Sequence, residues 1–499
     1  MPNSRCRAKW PPASDKLRLF SPGHFAHARL KSRRQIPVNI KDNAWLRALE
    51  AAIFYGLIVV LAFTAIPYGS VEPWSHAVFE SAVFFLALLW VIHGLWAGTW
   101  GRGNLTLFYP LIALIAFAIL QSLSWSGIEV SGIKVQNAIS ADPFESWVFA
   151  LRLSALTLAG VLVLRFTNTT ARLSTLIHAV LLVAVISSLF GILRQTMQHE
   201  QGFLLSGLAA GGGFGQFINR NHFAFLVEAA LGLLMGIAFL RQDRHERLLI
   251  YVSTILLLWV ALVMSRSRGG LLAVTVQLVC AAALFIYSRY KRSSGTRGSI
   301  GWRRPIFATA ITIIATVAIT IGGVVWLGGD QLTTGVQTAS IEMGQVNVAH
   351  EGTRRSDFWR ATWQMARAHP LAGAGLGGYW AELPVYHDAS GVQTPQQAHN
   401  DYLELLASGG IISAAIFVWF VVLLLGAVRR IAGDYSEFQR AAASGAILGI
   451  AGIGVHSLFE FGLHITINAL VFMILLSILS LPRINKRPDA QAHRMATFK

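Results

Sequence analysis

The stretch LLIYVSTILLLWVALVM SRSR GGLLAVTVQLVCAAALFIYS (residues 248–288) decides the fold class. Two apolar runs, 248–264 and 269–288, are each long enough to cross a membrane, and they flank four residues that include two arginines. Lipid cannot satisfy an open backbone, and neither run alternates like a barrel strand. Both runs therefore predict membrane-spanning helices.

Similar runs recur along almost the whole chain, about twelve by the criterion of roughly 17–25 apolar residues. Of the 499 residues, 54% are hydrophobic and only 13% are charged, which is too apolar for an ordinary soluble protein. The sequence therefore predicts an all-α polytopic membrane protein. Its predicted spans lie near 47–66, 77–97, 105–123, 148–164, 173–193, 222–240, 248–264, 269–288, 306–327, 402–428, 441–459 and 465–481.

The formal charge of +17 raises the question of nucleic-acid binding, which the placement of the charge answers. With twelve spans, about 31 of the 41 Lys and Arg residues fall on one side, in alternate loops and both tails. The positive-inside rule assigns that side to the cytoplasm, together with both termini. The basic residues thus indicate topology, and we expect no nucleic acid as a partner.

Three regions follow from this topology. Residues 1–44 form a basic cytoplasmic arm that is predicted to be disordered and lacks the apolar core of a signal peptide. Residues 45–482 form one membrane domain with a long periplasmic loop at 328–400, and 483–499 form a basic cytoplasmic tail. The two cysteines, Cys6 and Cys280, lie in the arm and in a span, so they predict no periplasmic disulfide.

The long loop contains an amphipathic helix within 353–369. Packing onto the helix bundle and gripping a substrate remain alternatives for it. The following segment, 371–378, is rich in glycine but lacks the lysine of a phosphate-binding loop, so it indicates close approach of backbone or substrate. The residues at helical spacing are Phe358, Trp359, Thr362, Trp363 and Ala366.

Three polar segments meet on the predicted periplasmic side: 211–223, 264–271 and 397–406. Arginines beside a membrane span suit an anionic ligand, because a guanidinium fork pairs with phosphate oxygens at any relevant pH. A neutral histidine beside them suits removal of a proton from a hydroxyl. Taken singly, the arginines could reach lipid headgroups and the histidine could cap a helix. Together they indicate glycosyl transfer from a diphosphate, with Arg220, Arg266, Arg268 and His399 at the site.

These segments resemble the signatures of a known family. Phe217–His222 (FINRNH), Ser265–Gly270 (SRSRGG) and His399–Leu403 (HNDYL) are similar to segments of the O-antigen ligase superfamily. Arg355–Trp359 and His369–Gly377 are similar to the periplasmic loop of that family. The resemblance runs in order through about 210–470, whereas only hydropathy agrees before residue 200.

The resemblance implies a lipid-carrier glycosyltransferase fold of the GT-C-like type, with no metal and no other cofactor. It implies a glycan donor carried on undecaprenyl diphosphate, with lipid A core or a growing glycan as the acceptor. His399 would activate the acceptor hydroxyl, and an inverting displacement would follow. The residues expected to bind the diphosphate or glycan are Arg220, Arg266, Arg268, Arg355, Asn221, His222 and Asn400.

The expected location is the bacterial inner membrane, with inner-membrane lipids around the bundle and the active site facing the periplasm. Ligase activity is preferred, a polymerase of O-antigen or exopolysaccharide is the close alternative, and a protein O-oligosaccharyltransferase is less favoured. A twelve-helix transporter is the rival from another class, with Glu228 as its clearest candidate residue. His456, Glu460 and His464 flank the turn between the last two predicted spans, and a structural hydrogen-bonding role is preferred for them over a second polar site on the same side. The resembled family often has an acidic residue near the position of Glu460.

Overall fold

The computed structural model describes residues 43–98, 100, 103–130, 133–197, 208, 213–240, 245–293, 355–387, 396–430 and 435–484. Within them, eight helices are long and apolar enough to cross a membrane. Three shorter apolar helices, Thr106–Ser122, Leu248–Met264 and Thr466–Ser480, match three further predicted spans. The predicted polytopic helical membrane protein is therefore confirmed. The count of twelve stays a prediction, because the span at 306–327 lies outside the described residues, as do 328–354 and most of both tails.

The helices are numbered in chain order. The first eight are α1 (Ala44–Ala65), α2 (Pro73–Ala97), α3 (Tyr109–Ser122), α4 (Pro143–Phe166), α5 (Thr170–Met197), α6 (Arg220–Leu240), α7 (His245–Met264) and α8 (Arg268–Ser293). They are followed by α9 (Arg355–Ala368), α10 (Tyr379–Glu382), α11 (Asp401–Arg430), α12 (Glu437–His456) and α13 (Thr466–Ser480). Short 3₁₀ helices lie at Thr106–Phe108, Leu383–Val385 and Gly462–His464.

One element departs from the all-α prediction. Strands β1 (Ser124–Val130) and β2 (Ile133–Ala138) form an antiparallel hairpin between α3 and α4. The segment alternates apolar and polar residues around Ser131–Gly132, a pattern that favours a hairpin over a helix. The prediction missed this hairpin because it followed hydropathy over windows of span length, in which strands of six or seven residues leave no trace.

The centre of the bundle is the contact between α6 and α12. Glycines on both helices allow their backbones to touch: a Cβ on Gly232 would lie 2.3 Å from the amide nitrogen of Gly449, and one on Gly236 would lie 2.4 Å from the Cα of Gly445. Small residues permit this approach in membrane helices, where packing replaces the hydrophobic effect. The contact brings Arg220, which begins α6, to the same end of the bundle as His456, which ends α12.

Candidate active site

The start of α6 is held by the turn that precedes it. Gly213 and Gly215 have φ angles of +64° and +59°, which few other residues adopt. Buried Arg194 of α5 donates from Nη1 to the carbonyl oxygens of Gly215 (2.9 Å) and Phe217 (3.1 Å). The carboxamide of Asn219 then accepts the amide of Asn221 at 2.8 Å and caps the helix. Arg220, which follows this cap, is left exposed.

The arginine turn, residues 265–268, connects α7 with α8. Arg266 and Arg268 are exposed, whereas Ser265 and Ser267 are buried. Ser267 caps α8 by accepting the amide of Gly270 (3.2 Å). The turn is followed by Gly269 and Gly270, whose lack of a side chain leaves room for His456 and Ala224.

A Cβ on Gly269 would lie 2.5 Å from the ring of His456, and one on Gly270 would lie 2.7 Å from the Cβ of Ala224. Nδ1 of His456 lies at hydrogen-bond distance, 2.7 Å, from Oε1 of Glu228, and both side chains are buried. The transporter alternative relied on Glu228 as a midplane substrate residue. The structure instead pairs Glu228 with His456 beneath the arginine turn.

Glu460 is the residue at which the separate segments meet. Its side chain is fully buried, in the connection between α12 and α13. Oε2 accepts from Nη2 of Arg355 (2.7 Å) and from Nδ2 of Asn221 (2.5 Å), and Oε1 accepts from Nδ1 of His399 (2.5 Å). Asn221 also accepts the hydroxyl of Ser267 at 2.7 Å, which ties the arginine turn to the same carboxylate.

These contacts hold Glu460 in its ionised form. Burial alone would raise the pKa of the carboxyl group, but the hydrogen bond and charge of His399 and the charge of Arg355 outweigh burial and lower the pKa to about 2. An ionised carboxylate can only accept hydrogen bonds, so Nδ1 of His399 carries the proton. In a neutral imidazole, Nε2 is then left as the acceptor.

His399 is held in an uncommon backbone conformation, with φ at +51°. Among the described residues, the other non-glycine positions with positive φ are Tyr68, Ser70 and Arg266. Such strain costs of order 1–3 kcal/mol and is concentrated at functional sites. Two of the four strained positions thus coincide with residues that the sequence predicts for the site.

Aromatic rings border the histidine on two sides. The ring of Phe461 packs edge to face against His399, with centroids 4.8 Å apart, and Phe358 of α9 stacks at 6.2 Å. The His399 side chain remains 27% exposed. The imidazole is therefore oriented by its neighbours but stays accessible to a small group.

The four arginines form one positive cluster. Arg220 interacts electrostatically with Arg266, Arg268 and Arg355, which carry the same charge, and with Glu460, which carries the opposite charge. Four guanidinium groups and one carboxylate leave a surplus of three positive charges beside His399. Such a surplus favours a multivalent anion such as a diphosphate.

The remaining predicted residues occupy supporting positions. His222 is buried, its ring lies 4.8 Å from that of Phe461, and its Nε2 has no hydrogen-bond partner among the described residues. Asn400 uses its carboxamide oxygen to cap α11, accepting the amides of Tyr402 (3.1 Å) and Leu403 (3.0 Å). Their parts in substrate binding remain predictions.

The position of helix α9 bears on both alternatives for it, packing onto the helix bundle and a direct role in binding substrate. Thr362 and Ala366 are buried against the rest of the protein, whereas Trp363 is 52% exposed. The helix therefore packs onto the bundle, as one alternative held. It also supplies Arg355 and Phe358 to the site, so packing and a direct role are compatible.

Glu460 is the residue whose place the sequence reasoning underrated. A structural role was preferred for it, yet it contacts His399, Arg355 and Asn221 directly. The available signal was a carboxylate between two spans on the predicted side of the arginines. Among the described residues, no group of three or more His, Cys, Asp or Glu side chains is arranged to hold a metal ion.

Residues 253–418 match the family model described as O-antigen ligase. This match confirms the resemblance to the O-antigen ligase superfamily. The matched segment includes Arg266, Arg268, Arg355 and His399, whereas Glu460 lies beyond it. A search of curated proteins found no match.

The O-antigen ligase match, with the apolar helices, indicates a multi-pass inner-membrane enzyme of the ligase or polymerase type. It implies a glycosyltransferase-like ligase activity and lipid-linked glycan substrates. The donor, the acceptor and the stereochemistry go beyond this match.

Proposed function

We propose that this protein is an inverting O-antigen ligase that transfers a glycan from undecaprenyl diphosphate to a hydroxyl of lipid A core at the periplasmic face. The observation that carries the proposal is the network around Glu460, which joins a histidine to a cluster of four arginines. The histidine suits an alcohol acceptor, and the arginines suit a diphosphate leaving group. Their contact within one network favours transfer between the two.

His399 acts as the base. Its protonated Nδ1 donates to Glu460, so Nε2 is free to accept the proton of the acceptor hydroxyl. The carboxylate stabilises the imidazolium that results, in the way that a buried aspartate supports the histidine of a catalytic triad. Glu460 thus orients the ring and is not protonated itself, which agrees with its pKa of about 2.

The arginines bind the diphosphate and stabilise it as it leaves. The acceptor oxygen forms a bond to the anomeric carbon while the bond from that carbon to the diphosphate oxygen breaks. The electron pair stays on the departing diphosphate, where Arg220, Arg266 and Arg268 offset the developing charge. Attack from the face opposite the leaving group inverts the anomeric configuration. Because positive charge is supplied by side chains, we propose that no metal is needed.

The test is glycan transfer in a strain that lacks the gene, with His399→Ala and Arg266→Ala compared to wild type at matched membrane expression. His178→Ala and Arg367→Ala serve as controls, because both side chains are exposed and neither is among the hydrogen-bond partners of Glu460. Lipopolysaccharide ladders and secreted polysaccharide are measured side by side.

We expect both site variants to abolish transfer and both controls to retain it. Loss confined to capped lipopolysaccharide supports the ligase, whereas loss of glycan chain length with capping retained supports a polymerase of the same superfamily. Full transfer by both site variants would refute the proposed site.

A further inference from the structure

Gln121, near the end of α3, joins two segments that are far away in the sequence. Its side chain is fully buried. Nε2 donates to the carbonyl oxygens of Ala372 (2.6 Å) and Ser408 (3.0 Å), and Oε1 accepts the amide of Leu376 (3.0 Å). Both amide hydrogens and the amide oxygen are therefore used, and all of their partners are backbone groups.

The partners of Gln121 lie at a break in α11. Gly410 has φ +57° and ψ −156°, so α11 consists of a short piece before this residue and a long piece after it. The glycine-rich segment 371–378, together with Pro370 before it, fits into the break and pairs with the backbone freed there. A Cβ on Gly410 would lie 2.3 Å from the carbonyl oxygen of Leu371. The pairs are Ala374 N to Ala407 O (3.0 Å), Gly375 N to Ser408 O (2.9 Å) and Ile411 N to Pro370 O (2.9 Å).

The two joined segments carry catalytic groups at their other ends. The short piece of α11 begins directly after His399 and Asn400. The glycine-rich segment directly follows α9, which begins with Arg355. We call the three hydrogen bonds of the Gln121 side chain the clasp. The clasp is separated by one short helix from His399 and by another from Arg355, and both of these residues bind Glu460.

We infer that Gln121 is a positioning residue, whose carboxamide sets the placement of His399 against the arginine cluster by clasping the break in α11. The inference rests on the proposed function. Because Gln121 contacts neither Glu460 nor an arginine in the hydrogen bonds described, it acts through the backbone of segments 370–378 and 401–409.

The chemistry of the clasp requires an amide. A glutamate at this position has the same shape but, when ionised, no hydrogen to donate, so its oxygens would face the carbonyl oxygens of Ala372 and Ser408. A methionine fills the space but removes the donor to the carbonyl oxygen of Ala372, and the carbonyl oxygen of Ser408 then keeps only the amide of Gly375. Gln121→Glu and Gln121→Met therefore both remove the bonds to the carbonyl oxygens of Ala372 and Ser408, and the methionine also removes the acceptor of the Leu376 amide.

Gln439→Glu is the matched control. Gln439 is also buried, donates from Nε2 to the carbonyl oxygen of Pro482 (3.0 Å) and accepts the amide of Ile484 (3.0 Å). It lies near the start of α12, about 25 Å along the helix from the end that holds the site. It therefore reports the effect of a buried glutamine-to-glutamate change at a distance.

The full-length variants are compared in lipid nanodiscs by backbone hydrogen exchange and by single-turnover transfer from a polyprenyl-diphosphate-linked glycan. For both Gln121 variants we expect faster exchange in peptides that cover 370–378 and 401–412. We expect a transfer rate at saturating donor at least about tenfold lower, because a small misplacement of a base reduces rate strongly. Donor affinity should stay within about threefold, since three of the four arginines lie on α6 and next to or within α8. Gln439→Glu should match wild type in both peptides and in rate.

Unchanged exchange in both Gln121 variants would overturn the clasp, whatever the activity. Faster exchange with a wild-type transfer rate would overturn the positioning role. If Gln439→Glu lost donor affinity and transfer rate to the same extent as the Gln121 variants, the effect would be general destabilisation. That result would also overturn the positioning role. If the proposed function itself is wrong, the wild-type protein will show no transfer, and the positioning role falls with it. The hydrogen-exchange data would still show whether Gln121 holds the two segments together.

Discussion

Replacing Glu460 by glutamine is the most informative single change at the site. Glutamine keeps the shape of the side chain and one acceptor oxygen, but it removes the charge that faces Arg355 and His399. It also introduces two hydrogens where the carboxylate only accepts. The change therefore tests electrostatics and ring orientation without opening a cavity.

The expected magnitude follows from the bond between Glu460 and His399. Hydrogen bonds to charged groups contribute about 1.5–3 kcal/mol, and this one strengthens as the imidazole becomes an imidazolium. A loss of about 3 kcal/mol in the transition state corresponds to roughly 10²-fold in rate, at 1.36 kcal/mol per tenfold. Donor binding should respond in the opposite direction. Without the carboxylate, the surplus of positive charge rises from three to four, so the donor KM should be unchanged or lower.

The assay is steady-state transfer in proteoliposomes, in which kcat and the donor KM are separated. Glu382→Gln is the matched control, because Glu382 also binds a histidine, His369 at 2.9 Å, but lies outside the Glu460 network. We expect its kcat to stay within about threefold of wild type, in contrast to the variant at Glu460. A Glu460→Gln enzyme with wild-type kcat, or with a raised KM alone, would refute the role assigned to the carboxylate.

Three further results are expected. Gly269→Ala should destabilise the protein by about 1–3 kcal/mol, because the new Cβ would lie 2.5 Å from the ring of His456; a lower thermal midpoint in detergent checks this, and an unchanged midpoint would contradict the close packing. The difference in free energy of unfolding between wild type and Glu460→Gln should be constant above about pH 4.5 and shrink as pH falls toward 2, because the lowered pKa of Glu460 gives stability that protonation removes. Thermal midpoints of both proteins from pH 7 to pH 3 measure this difference. A difference that stays constant over this range would count against an ionised carboxylate. Transfer should persist in excess EDTA, and loss of activity that Mg²⁺ restores would show that the arginines alone do not carry the diphosphate.

Much of the candidate site could be predicted from the sequence, because its residues break local rules. Arginines at 220, 266 and 268 interrupt apolar runs, where charge is costly, and such residues stand out without knowledge of the fold. Counting the predicted spans places all three on the same, periplasmic side, which stays a prediction. Their convergence on one carboxylate does not, because Asn221 and Glu460 are separated by 239 residues.

The contacts of Gln121 are indicated by no local pattern. Gln121 sits in an apolar helix with no motif around it, and its partners come from residues more than 250 positions away. Such contacts depend on which helices lie side by side, which a single sequence does not encode in its spacing.

The sequence by itself determined that the chain is a helical membrane protein, because the length and apolarity of a span are properties of consecutive residues. It also determined the residue types of the candidate chemistry and the family to which they are similar. Only the tertiary structure decided that Glu460 joins His399 to Arg355 and that glycines 269 and 270 make room for His456 and Ala224. The physical reason is that burial, hydrogen bonding and electrostatic strength are set by distances between residues remote in the chain, and these distances exist only after the helices have packed.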